Sequence, residues 1–326
     1  MNRRVADFSL IVPVAVGFWS LSQLCHPAVA APAPDAVAVL AAVCPLQPTD
    51  TAGLRRVLTG GRLLEARLDG LVDKPFRAVH RILMPEGGEW VVNRLSPGGR
   101  LRRISLEWHA PAPAGPRPVL AVNASGDCRV TEGRRLIYDS EGRAETLEVL
   151  SADLAEVVFR EALNPPVPAG PPTAQEAVRV AVIDTGVNYT LPLFRGRLAR
   201  NDAGDLLGYD FWDMDARPFD LDTARSPFFP LHHGTAVTSI ILREAPEAVI
   251  LPYRYPRPDM TRFGDLIARA DAAGAVIVNM AMGSNAEADW QAFAQAAKAR
   301  PHMLFIVSAG NDGRDLDRVP VFPAAL

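Results

Sequence analysis

VAVIDTGV, residues Val180 to Val187, is an apolar, β-branched run that stops on a carboxylate. Consecutive apolar positions suit a strand covered on both faces, which is the habit of parallel sheets. Asp184 closes the strand and Thr185-Gly186 makes a tight turn. The texture downstream agrees. His233 to Glu244 reads as a helix, Val249 to Tyr253 as a strand and Phe263 to Ala273 as a helix. Ala275 to Met280 is a further buried strand, Ala288 to Arg300 a helix and Met303 to Ser308 a strand. Strands alternating with helices of 10–15 residues imply an α/β fold with a parallel sheet. Function in such sheets collects where strands end and helices begin.

Three more segments stand at such places. HHGTAVTSII, His232 to Ile241, opens a helix on His233, with Gly234 allowing close backbone approach and His232 as an exposed neighbour. IVNMAMGS, Ile277 to Ser284, is a buried strand running into Ala281-Met282-Gly283. LFIVSAGNDG, Leu304 to Gly313, presents Asn311 just after a strand. Asp, His and Asn each also suit turns or helix starts, so singly each segment is weak.

Together, in this order, the four segments resemble the subtilisin-like serine peptidases. GYDFWDMDARPFD, Gly208 to Asp220, resembles the stretch before the histidine in that family, and VFPAAL at Val321 to Leu326 its Pro-Ala element. The resemblance implies roles. Asp184 would orient and stabilise the imidazole of His233, and His233 would act as general base and then general acid. Asn311 would donate to the oxyanion. Ala281, Met282 and Gly283 would line the primary specificity pocket and pair with polypeptide substrate as an added strand. The implied function is a serine-type endopeptidase.

The pattern also breaks. The family's nucleophile stands in Gly-Thr-Ser, and the only Gly-Thr here, Gly234-Thr235, is followed by Ala236. The expectation is an incomplete subtilisin-like domain at residues 177–326, inactive as written, from a longer gene. The alternative is a non-catalytic pseudopeptidase that binds peptides or regulates. Many members of the family bind calcium, but Asp210, Asp213, Asp215, Asp220 and Asp222 lack the glycine and distant glutamate of a calcium loop. A solvated acidic loop is the reading adopted, with no cofactor or metal assigned.

Upstream, Pro165, Pro166, Pro168, Pro171 and Pro172 crowd residues 163–176, favouring a stiff extended linker. Residues 31–162 read as a smaller β-rich domain with short antiparallel strands and one helix near Leu54. It is a pro-domain or an accessory domain by position. Residues 1–30 read as a secretory signal: Arg3 and Arg4, an apolar Phe8 to Leu21, then Ala28-Val29-Ala30. The apolar core is shorter than a membrane span needs. The expectation is export to periplasm or medium with no membrane insertion after signal removal. Loss of Cys25 with the signal leaves Cys44 and Cys128, a pair that favours one disulfide in an oxidising compartment over two separate buried thiols.

The 326 residues carry 34 Lys plus Arg against 37 Asp plus Glu, a net charge of −3. That balance argues against a nucleic-acid partner, which needs a basic excess.

Overall fold

The computed structural model describes residues 35–326 apart from 72, 73 and 175. The secretory-signal reading, with its cleavage site and Cys25, lies outside the described residues.

The chain opens with two short helices, α1 (Ala36–Val43) and α2 (Thr51–Val57). Each is started by an aspartate. Asp35 accepts from the N–H groups of Val37 and Ala38, and Asp50 from that of Gly53, satisfying donors that have no partner inside the helix. Eight strands follow: β1 (Arg62–Gly70), β2 (Pro75–Leu83), β3 (Glu89–Leu95), β4 (Arg103–Ala110), β5 (Arg117–Ser125), β6 (Val130–Tyr138), β7 (Ala144–Leu150) and β8 (Val157–Ala162). They form one antiparallel sheet in sequence order. The helix pair at the start, rather than one helix, closes one face of this sheet.

Period-two alternation gives the sheet two apolar faces. One packs Ile82, Trp90, Val92, Ile104, Leu106 and Val122 against Leu40, Val43 and Leu54 of the helices. Arg94 of β3 is buried at the edge of this core. Its guanidinium donates to the carbonyl oxygens of Val43, Cys44 and Leu46, where α1 ends. Cys44 is disulfide-bonded to Cys128, in the turn between β5 and β6. The second face presents Ala121, Leu136 and Leu147, and these are buried against the next part of the chain.

The proline-rich run lies along that next part by hydrogen bonds. The Tyr189 hydroxyl donates to the Pro165 carbonyl at 2.5 Å, and the Arg200 guanidinium to that of Pro168 at 2.6 Å. The Arg200 N–H donates to the Thr173 hydroxyl at 2.8 Å.

A second sheet is built from β9 (Arg179–Asp184), β10 (Tyr209–Asp210), β11 (Val249–Arg254), β12 (Ala275–Met280) and β13 (Leu304–Val307). It is wholly parallel, in the order β10-β11-β9-β12-β13. The helices are α3 (His233–Glu244), α4 (Phe263–Ala272) and α5 (Gln291–Lys298). Ala181 and Ile183 of β9 face a core shared with Phe263, Leu266 and Ile267 of α4 and Phe293 of α5. Val180 and Val182 face the opposite core, with Leu242 of α3 and the outer face of the first sheet. Burial on both faces is why β9 reads as an unbroken apolar run.

The Cys44–Cys128 bond closes a loop of sequence separation 84. Constraining the unfolded chain over such a span stabilises by about 2–4 kcal/mol. Replacing both cysteines by serine is expected to lower urea-unfolding stability of the first sheet by that amount. An unchanged midpoint would refute it.

Candidate active site

β9 is the central strand of the parallel sheet, and its last residue is Asp184. Chain connections depart from β9 toward β11 on one side and return to β12 on the other. A crevice at the carboxyl end of such a strand is the usual ligand position in open α/β sheets. A cavity of about 860 Å³ lies there, lined by Asp184, His233, Tyr255, Ala281, Met282, Gly283, Ser308 and Asn311 among others. A second cavity, about 430 Å³, is lined by Arg179, Arg200, Asn201 and Gly274, at the opposite ends of the strands, and contains no paired acid and imidazole.

Asp184 is buried, at 1% exposure. Its two carboxylate oxygens lie 2.8 and 3.0 Å from Nδ1 of His233. The Thr185 N–H donates to the same carboxylate at 2.7 Å. His233 begins α3 and its side chain is 52% exposed. A carboxylate only accepts, so Nδ1 carries the proton in the neutral ring and the Nε2 lone pair is left available. Nε2 has no hydrogen-bond partner among the described residues. The structure therefore joins the acid and the imidazole that lie 49 positions apart in sequence.

Two glycines make this contact possible. A Cβ on Gly234 would stand 2.1 Å from the Gly186 carbonyl oxygen, so only glycine lets the helix start approach the turn after β9. Gly186 itself has φ +104, and a Cβ there would meet the Phe219 carbonyl at 2.2 Å.

Behind the pair is a buried polar network that sequence reading did not identify. The Thr185 hydroxyl donates to Asp220 at 2.5 Å and accepts from the Gly234 N–H at 2.8 Å. The other Asp220 oxygen accepts from the Thr235 N–H at 2.6 Å. Asp220 thus caps α3 from a distance while holding the residue next to Asp184. Burial pushes its carboxyl up from the ordinary value, and the donors Thr185 and Thr235 oppose that. The only sequence signal was its membership in an acidic stretch.

That acidic stretch is not simply solvated, as the sequence suggested. Asp210 and Asp213 accept from the buried guanidinium of Arg254, at the end of β11, which also donates to the Leu221 carbonyl. Asp215 pairs with Arg217 at 2.9 Å, and Asp222 accepts from the Ala224 N–H at 2.8 Å. Among the described residues no group of three or more His, Cys, Asp or Glu is placed to hold a metal ion. His232 also departs from the exposed neighbour expected: it is half-buried, between Glu161 and Asp220.

Ala281, Met282 and Gly283 follow β12 along one wall of the cleft. Ser284 continues them, exchanging backbone hydrogen bonds with Phe322 at 2.9 and 2.8 Å. Asn311 lies in the loop after β13, next to Gly310 at φ +92. It lines the same cleft, and its side-chain amide makes no hydrogen bond among the described residues.

Residues 175–325 match the Subtilase family. Over that span the chain is similar to the subtilases. Two curated relatives are similar at the sequence level. The "Thermophilic serine proteinase" of Bacillus sp. (strain AK1) is 29% identical over 148 residues, covering 41% of this chain and 33% of that protein. The "Minor extracellular protease Vpr" of Bacillus subtilis (strain 168) is 28% identical over 150 residues, covering 42% of this chain and 18% of that protein. The match thus spans a third or less of either relative. The matched segment contains the whole parallel sheet and the cleft; the antiparallel sheet precedes it.

Gly234→Ala is expected to separate α3 from the turn after β9 and to cost about 3 kcal/mol, the upper range for overpacking at an inflexible site. Urea unfolding reads the cost. A variant as stable as the parent, with the Asp184–His233 contact intact in its structure, would refute this account of Gly234.

Proposed function

We propose that this chain supplies the acid–base pair and the peptide-binding groove of an exported subtilisin-like serine endopeptidase. The carrying observation is the buried Asp184 carboxylate against Nδ1 of His233 at 2.8 Å, at the rim of a cleft that also holds Asn311. In this reading Nε2 of His233 takes the proton from a serine hydroxyl as it attacks the scissile carbonyl. It then delivers that proton to the leaving amine. Asp184 fixes the tautomer and stabilises the imidazolium without itself being protonated. The Asn311 amide donates to the oxyanion as charge develops. Residues 281–283 offer backbone to an extended polypeptide. The signal-like start and the Cys44–Cys128 bond support export to an oxidising space, periplasmic or extracellular.

The nucleophile is not assigned, since no Gly-Thr-Ser stands in the 326 residues. The alternative reading is a groove that binds peptides without cutting them, and the same cleft lined by residues 281–283 serves it. Under both readings a serine-directed fluorophosphonate is expected to label nothing on the chain as it stands, and stoichiometric labelling would reveal a serine outside the family's motif. Both readings require an extended peptide to perturb the amide resonances of Ala281 to Ser284, and no perturbation at millimolar peptide would overturn both.

Where this cleft is joined to a serine at the family's Gly-Thr-Ser position, His233→Ala is expected to lower peptide hydrolysis by about 10⁶-fold. Asn311→Ala is expected to lower it by about 10²–10³-fold, mainly in kcat. Equal rates for His233→Ala and the parent would refute the roles.

A further inference from the structure

The antiparallel sheet meets the matched segment on one surface, and the contacts converge. The apolar part is a shared core: Ala121, Leu136, Leu147 and Leu163 are buried with Tyr189, Phe219 and Phe228. The polar part lands on the loop between β10 and α3. Nη1 of Arg134 donates to the Phe228 carbonyl at 3.1 Å, and its guanidinium lies 4.3 Å from the Phe229 ring centroid. The Asn164 amide donates to Asp215 at 3.3 Å, and Arg217 donates to the Asn164 carbonyl at 3.2 Å. Glu161 of β8 lies 3.0 Å from Nε2 of His232. This loop ends at His233. None of residues 35–162 lines the cleft, so among the described residues the sheet grips the histidine's approach and leaves the groove open.

His232 is the informative contact. Nε2 faces the Glu161 carboxylate, and Nδ1 lies 3.0 Å from the Asp220 carbonyl. Both oxygens only accept, so only an imidazolium donates to both. From Asp220 the hydrogen bonds continue through its carboxylate to Thr185 and Thr235, and so to Asp184 and the first turn of α3. One connected path runs from the edge of the first sheet to the paired acid and imidazole.

We propose that the antiparallel sheet is a retained brace of the peptidase unit, in which Glu161 is a positioning residue that acts through His232 and Asp220 to hold Asp184 and His233 in register. The proposal rests on the reading of Asp184 and His233 as the acid–base pair. It assigns the sheet a permanent role, unlike a pro-segment that plugs the groove and leaves. Departure would bare Leu136, Leu147, Phe219 and Phe228, each at most 2% exposed. The charged groups acting on His232 are Glu161 from β8 and Asp220 from the loop, and the Glu161 hydrogen bond holds its proton on above the ordinary value. The contribution of the latch is therefore present below pH ~6.5 and is lost as pH rises through the higher folded-state value.

Two experiments on the full chain test this. In the first, a specific protease site is placed at Gly170 to Pro172 and cut. The two pieces are expected to co-elute in native buffer and to part only in denaturant; native separation with a folded 177–326 piece would overturn the proposal. In the second, the parent, Glu161→Gln and, as an exposed control, Glu156→Gln are compared by NMR. Glu161→Gln is expected to move the His232 titration down and to broaden the low-field Nδ1–H signal of His233 through faster exchange with water. It is also expected to remove the part of urea stability that fades above neutral pH. The control should change none of these. A His233 signal present in the parent and unchanged in Glu161→Gln would sink the brace. Absence of that signal from the parent, with Asp184→Asn also without effect on the ring, would instead sink the acid–base reading.

Discussion

The bond between a dry carboxylate and a half-wet imidazole is the constraint around which the second half of this molecule is arranged. A carboxylate at 1% exposure is costly unless donors surround it. Asp184 has them in the Thr185 N–H and the Nδ1–H of His233. The bond is attainable only because β9 is central, covered on both faces, and ends at the point where connections leave in opposite directions. It is attainable also because Gly186 and Gly234 let two backbones meet closer than any side chain allows. Sheet order, helix start and turn chemistry all serve one short distance.

The sequence made some of this legible and concealed the rest for identifiable reasons. Val180 to Ile183 declares a buried strand because both cores that flank it demand apolar residues at consecutive positions. The alternation of strands and helices after it is equally local, and so is the order of the segments bearing Asp184, His233 and Asn311. The two-residue β10 has no pattern of its own and exists only by pairing with Tyr253 and Arg254. α1 is hard to read because Ala36 to Val43 is apolar throughout, which hides its helical period; the Asp35 cap is its one clear signal. Asp220 looked like one acid among several, since its partners Thr185 and Thr235 are 35 and 15 positions away. The second apolar face of the first sheet is written in Ala121, Leu136 and Leu147, but alternation says only that a face is apolar, never what covers it.

The loop before α3 shows how buried charge is used here. Arg254 is 2% exposed, yet its guanidinium meets two carboxylates and a carbonyl. Removing one partner of such a buried set costs about 3–5 kcal/mol because the others are left uncompensated. Arg254 stands at the end of β11 and its partners span Asp210 to Leu221, so the sheet itself clamps the first part of the loop. The last part, Phe228 to His232, is held from the other side by Arg134 and Glu161. A segment fastened at both ends to rigid sheets has little freedom to relocate the residue it delivers. That matters because acid–base chemistry tolerates only small misplacement of the reacting groups. The loop carries neither of the paired residues itself, yet its Asp220 accepts from the Thr185 hydroxyl beside Asp184 and from the Thr235 N–H two positions after His233.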